Sequence, residues 1–238
     1  MTHTTQRLTC AALAALVTLS LVASTADADP GTWEVLKKEK GITTFTREVE
    51  GRSLPSLKGQ VLIKASIYEV MAILQDFDGH KEWMANCHSS KLLKEVDPYT
   101  RLSYNRTDAP WPVSDRDTVI TSKVKINKQR KQVRISFRNV SSPLMPEVED
   151  VVRMPTIKGY YLLVAKGPDK TFVVYEVDAD PGGSLPDWLA EKASEDLPFN
   201  TLGGLRAQVK AVDFKRYEAF IQKWDPRHNP DSPGPALE

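Results

Sequence analysis

Between residues 56 and 65 apolar and polar side chains alternate. Leu57, Gly59, Val61 and Ile63 share one face, and Lys58, Gln60 and Lys64 share the other. A period of two with one apolar face predicts a half-buried β-strand. Residues 42–49, rich in β-branched side chains, predict another strand before it. From Ser66 the period changes: Ile67, Val70, Met71 and Leu74 fall on one helical stripe. That predicts a helix over residues 66–76 with Ser66 as its N-cap. Upstream, the spacing of Trp33 and Leu36 predicts one or two helical turns over residues 33–38.

From residue 89 to 178 the pattern is mostly strand, over residues 91–96, 100–107, 117–126, 131–140, 149–154, 158–165 and 170–177. Asp97-Pro98, Asn127-Lys128 and Gly167-Pro168-Asp169-Lys170 break it with turn chemistry. Such short spacings favour antiparallel pairing, because parallel strands need long crossovers. Facing is clear in two strands: Val133, Ile135 and Phe137 oppose Arg134 and Arg138, and Val173, Tyr175 and Val177 oppose Glu176 and Asp178. In residues 100–107 the apolar Leu102 and Tyr104 point opposite to Ser103.

After Asp180-Pro181-Gly182-Gly183 the pattern turns helical. Ser184 and Asp187 have the spacing of a capping box, with Pro186 in the first turn. Pro198 and the pair Gly203-Gly204 predict a kink or interruption. Leu205, Val209, Val212, Tyr217, Phe220 and Ile221 continue the apolar face, and residues 225–238, with four prolines, predict a loose, disordered tail. The chain therefore reads as one α+β domain over residues 29–224. An antiparallel sheet with one apolar face needs a cover, and the terminal helical segment is the only element long enough. Curving the sheet around it leaves an apolar space suited to a small molecule.

Composition narrows the partners. The 238 residues carry 32 Lys+Arg against 31 Asp+Glu, a formal net charge of +1, and 41% are hydrophobic. That is globular, and the balanced charge argues against a nucleic-acid partner. Arg7, the apolar run 11–23 and Ala26-Asp27-Ala28 have the form of a secretory leader, residues 1–28, cleaved after Ala28. The run is too short to span a bilayer. The expectation is an exported protein, periplasmic or secreted. Cys10 leaves with the leader, so Cys87 remains alone and no internal disulfide forms.

Three segments carry a resemblance. The first is Asp76-Phe77-Asp78-Gly79-His80-Lys81-Glu82-Trp83-Met84. The second is Pro110-Trp111-Pro112-Val113-Ser114-Asp115-Arg116-Asp117. The third is Asp180-Pro181-Gly182-Gly183-Ser184-Leu185-Pro186-Asp187-Trp188-Leu189-Ala190. In order and spacing they resemble the START domain, the steroidogenic-acute-regulatory-related lipid-transfer family of the helix-grip group, here as a bacterial-type exported member. The resemblance implies a curved antiparallel sheet wrapped around a long C-terminal helix, enclosing one lipid- or sterol-sized ligand without covalent chemistry. It also shows departures. His80 stands where phosphocholine-binding members carry Arg, and Ser122 stands where sterol-binding members carry Arg. Ser103 lies near the position of the sterol binders' acid.

On that basis the lipid-binding residues are Ser103, Ile120, Ser122, Val133, Ile135, Phe137, Tyr161, Val173, Tyr175 and Leu189. His80, Trp111, Arg116 and Trp188 are head-group or gate residues. The alternation around Leu102 and Tyr104 speaks against Ser103. Trp83 reads as core with His80 and Glu82 nearer a cavity mouth, Trp111 as a plug at the end of the sheet, and Arg116-Asp117 as a tie between loop and sheet.

No metal-ligand spacing, cofactor motif or nucleophile motif is present, so neither metal nor cofactor is expected. The partners expected are a lipid or sterol-like ligand and a transient membrane surface, with the protein itself monomeric. Two other classes stay open: a cyclase- or hydrolase-like enzyme using Asp76, His80 or Glu82 as acid or base, and an envelope protein-interaction module. A magnitude favours binding. At about 0.8 kcal/mol per buried methylene, a sixteen-carbon chain offers roughly 12 kcal/mol, against about 8 for micromolar affinity.

Overall fold

The computed structural model describes residues 31–50, 54–184 and 186–237; the predicted leader lies outside them. The strands are β1 Glu34–Glu39, β2 Ile42–Arg47, β3 Ser56–Ile63, β4 Cys87–Asp97, β5 Thr100–Thr107, β6 Arg116–Asn127, β7 Gln132–Asn139, β8 Val152–Arg153, β9 Thr156–Ala165 and β10 Thr171–Asp180. The helices are α1 Ile67–Gln75, α2 Asp187–Ala211 and α3 Glu218–Trp224, with 3₁₀ segments at Phe77–Glu82 and Phe214–Tyr217. One curved sheet runs β1-β2-β3-β10-β9-β7-β6-β5-β4 and wraps around α2. Every pair along it is antiparallel. β8, shorter than the predicted strand over residues 149–154, instead pairs parallel with Arg116 and Asp117 of β6, where β7 no longer reaches. Three register shifts between β4 and β5 add to the curvature at that edge.

Residues 34–39 form a strand, not the predicted helical turns. A segment this short cannot repay helix nucleation alone. Lys40 and Gly41, both at positive φ, turn it back onto β2 as a hairpin. The capping box falls at Ser66, whose hydroxyl accepts from the Glu69 N–H at 3.2 Å while the Glu69 carboxylate accepts from the Ser66 N–H at 2.7 Å. At α2 the expected box is absent: Pro186 is the N-cap and makes no side-chain cap bond.

Pro198 does not interrupt α2, which runs unbroken for 25 residues. The sequence markers read as breaks are instead sites of close approach. A Cβ on Gly59 of β3 would lie 2.6 Å from Leu202 and 3.3 Å from Pro198. One on Gly204 would lie 2.0 Å from the Trp83 carbonyl oxygen. Missing side chains let the helix lie directly on backbone, and that packing outweighs the hydrogen bond Pro198 cannot donate. Leu202, Leu205 and Val209 then enter the core with α1, β3, β9 and β10.

The C-terminal segment is packed, not loose. Asp225 is fully buried and forked by Arg227. Ser232 donates to the Trp224 carbonyl, Tyr68 of α1 donates to the Pro235 carbonyl, and Leu237 is buried. Prolines stiffen the unfolded chain and so lower the entropy lost when this segment is ordered. Its cover explains why nearly every residue of α1, not one stripe, is buried.

Candidate functional site

A cavity of about 640 Å³ lies between the concave face of the sheet, the end of α1 and the first half of α2. Its walls differ in chemistry. β7, β9 and β10 supply Ile135, Phe137, Ile157, Tyr161, Tyr175 and Val177. Tyr161 and Tyr175, opposite each other in register, stack at 4.6 Å between ring centroids with Phe137 beside them. Their hydroxyls are hydrogen-bonded together, and burial raises both phenols well above the usual tyrosine range, so both stay neutral.

The opposite wall is polar. β4, β5 and β6 supply Ser90, Ser103, Asn105, Thr107, Thr118 and Ser122, with Ile120 among them. Ser103 faces inward despite the alternation around it. Tyr104 points to the convex face, where its hydroxyl meets Asp117, so an apolar residue there is covered without being in the core. From α2 come Trp188, Leu189, Lys192, Ala193, Asp196 and Thr201. Residues of α2 up to Thr201 thus cover the cavity, and those from Leu202 fill the core.

At one end of the cavity is Arg116, only 6% exposed. Its Nη1 donates to the Ser114 carbonyl at 2.5 Å, and Nη2 to the carbonyls of Gly182 and Ser184 at 3.4 Å. Its Nε has no protein partner, nor have three other buried cavity atoms: Gln75 Nε2, Thr118 Oγ1 and Thr201 Oγ1. Burial presses the Arg116 guanidinium below its ordinary range. Asp117 faces the other way and holds Arg153, so both members of the pair tie loops to the sheet, Arg116 the segment before α2 and Asp117 the β7–β8 loop.

His80 also lines the cavity, stacked edge-on against Trp83. Burial lowers its pKa to about 4, so the ring is neutral. Its Nε2 carries the proton and donates to the Leu74 carbonyl at 3.1 Å. The two acids considered with it are engaged elsewhere: Asp76 accepts from Tyr217 and Arg216, and Glu82, away from the cavity, accepts from Gln208. On the outside, His88, Asp108 and Asp115 bring ligand atoms within 4.8 Å of one another. They are internally paired, His88 with Asp108 and Asp115 with Arg106.

Eleven of the fourteen expected site residues line the cavity. Val133 and Val173 do not: both are fully buried in the core, on the inner face but beyond the cavity's end. Trp111 is no plug; it is 91% exposed at the tip of the β5–β6 loop. Asn105, Thr107, Thr118, Gln75 and Thr201 were not expected. Strand parity with Ser103 and Ser122 marks the first three, but polar residues on an inner face read as outward-facing.

A curved sheet gripping a long helix beside a cavity defines the helix-grip fold. The family model for the START domain matches residues 17–212, and the chain belongs to that family. It is 35% identical over 180 residues to an uncharacterised protein of Pseudomonas aeruginosa, covering 75% of this chain and 87% of that one. START domain-containing protein 10 of Mus musculus is 25% identical over 212 residues, covering 86% and 70%. The crystal structure of a STAR-related lipid transfer protein fragment from Xanthomonas axonopodis superposes with a TM-score of 0.69 at 34% identity, over 75% of this chain and 98% of that one.

Proposed function

We propose that this protein, exported by residues 1–28, encloses one lipid or similar hydrophobic molecule and carries it between membranes as a monomer. The observation that carries the reading is the cavity itself, walled by Ile135, Phe137, Tyr161 and Tyr175 and closed by α2. The solved Xanthomonas relative, named a lipid transfer protein, supports it. The buried cavity histidine, His80, donates to a backbone carbonyl, not to an acid, and burial of apolar surface suffices to hold such a ligand.

Exposed apolar side chains adjoin the cavity. Trp111, 91% exposed, follows Pro110 of the cavity lining, and Trp188, in the first turn of α2, lines it at 55% exposure. Such residues suit contact with a membrane interface. There the half of α2 before Pro198 swings away and the ligand exchanges. If Pro198→Ala leaves transfer between vesicles unchanged, the proline has no part in opening.

The test is native mass spectrometry of the mature protein from its own compartment, followed by solvent extraction. A discrete added mass released as a lipid, on a chain beginning at Asp29, is the expected result. A bare protein that takes up no offered lipid would sink the carrier reading, and a chain retaining residues 1–28 would sink cleaved export.

A further inference from the structure

We propose that the ligand is an amphiphile whose acidic head group, a carboxylate or phosphate monoester, is held by Arg116; the inference rests on the lipid-binding reading above. Arg116 is the most buried of the charged side chains lining the cavity, which also include Lys192, Asp108 and Asp196. Its three hydrogen-bond partners are backbone carbonyls. They satisfy hydrogens but do not neutralise a charge, and a buried cation without a counter-ion is strongly disfavoured.

Neither neighbouring acid makes a direct ion pair with Arg116, although the Asp115 carboxylate lies near enough to favour its charge. Asp115 takes Arg106 at 2.6 Å, and Asp117 takes Arg153 on the opposite face of the sheet. No carboxylate among the described residues lies within ion-pairing distance of Arg116. The α2 N-terminus, which begins just after the Gly182 and Ser184 carbonyls that Arg116 reaches, has no side-chain cap. Two positive features therefore meet at one end of the cavity, and an anion there answers both. Arg116 lines the cavity, and a planar guanidinium matches carboxylate and phosphate oxygens.

A sixteen-carbon chain, roughly 480 Å³ at about 30 Å³ per methylene, fits within the cavity of about 640 Å³. Arg116, Ile120 and Ser122 share the inner face of β6, and the six-residue step from Arg116 to Ser122 spans about 20 Å. The head group lies at Arg116 and the tail runs along β6 toward Ser122, against Phe137 and Tyr161.

The experiment measures affinities of the mature protein at pH 8 for palmitic acid, hexadecanol and dipalmitoyl phosphatidic acid. Palmitate should bind at least tenfold more tightly than hexadecanol. The palmitate preference should fall to threefold or less in Arg116→Gln and be largely restored in Arg116→Lys. Equal affinities for palmitate and hexadecanol would overturn the acidic head group while leaving lipid binding intact. An undiminished preference in Arg116→Gln would remove Arg116 from the site. Uptake of none of the three would overturn lipid binding itself, and this inference with it.

Discussion

Arg153 holds Asp117 by a two-pronged grip, Nε to Oδ1 at 2.6 Å and Nη2 to Oδ2 at 3.0 Å. The same arginine reaches the carbonyls of Met145 and Pro146, so one side chain ties the β7–β8 loop to the start of β6. Asp117→Asn keeps the shape but removes the charge. Breaking a largely buried ion pair from one side should cost about 2 kcal/mol here, lowering Tm by about 4–8 °C in calorimetry. An unchanged Tm would mean the grip adds nothing to stability.

Two adjacent glycines of α2 should respond in opposite directions. A Cβ on Gly203 meets nothing closer than Ile42 at 3.7 Å, whereas one on Gly204 would stand 2.0 Å from the Trp83 oxygen. Gly203→Ala should stabilise by about 0.5–1 kcal/mol through helix propensity. Gly204→Ala should destabilise by roughly 2–3 kcal/mol through overpacking. Urea denaturation of both variants checks the pair, and equal effects would refute the close helix–loop contact.

His80 makes stability depend on pH. Its folded pKa of about 4 lies below the ordinary 6.5, so the folded state disfavours the proton that the unfolded chain accepts. Stability from this source is present above pH 6.5 and is lost as pH falls toward 4. The full loss is on the order of 3 kcal/mol. His80→Gln should flatten the wild-type slope between pH 6.5 and 5, before carboxylates dominate. Parallel curves for the two proteins would show that His80 is not buried neutral.

Removing residues 231–238 would strip away Ser232, the Pro235 carbonyl that Tyr68 bonds, and buried Leu237. The expected loss is about 3 kcal/mol from Leu237 burial and the lost hydrogen bonds. Amide exchange in α1 should quicken with it. A truncated chain as stable as the full one would return the segment to the status of a loose tail.

The strands with one apolar face toward the core were legible from their period of two: β3, β7 and β10 fall where alternation places them, whereas in β5 the alternation located the strand and misassigned its faces. Ser66 was legible for the same local reason. What escaped depends on distant chain. β1 is a strand because Lys40 and Gly41 fold it onto β2. Pro198 and Gly204 read as helix breakers, since nothing local shows the β3 backbone and Trp83 that pack against them. Within the cavity, Phe137, Tyr161 and Tyr175 followed from facing. Asn105, Thr107 and Thr118 did not, because a polar residue signals water from the sequence alone, and only the closed fold turns its strand face inward.

The two-sided wall carries a calorimetric consequence. A ligand filling the cavity withdraws apolar surface at Phe137, Tyr161 and Tyr175 and polar surface at Ser103, Thr118 and Ser122 together. Withdrawing the first lowers heat capacity and withdrawing the second raises it. The heat-capacity change per tail carbon should therefore be smaller in magnitude than in an all-hydrocarbon pocket. Replacing Thr118 or Ser122 with Val should make it more negative.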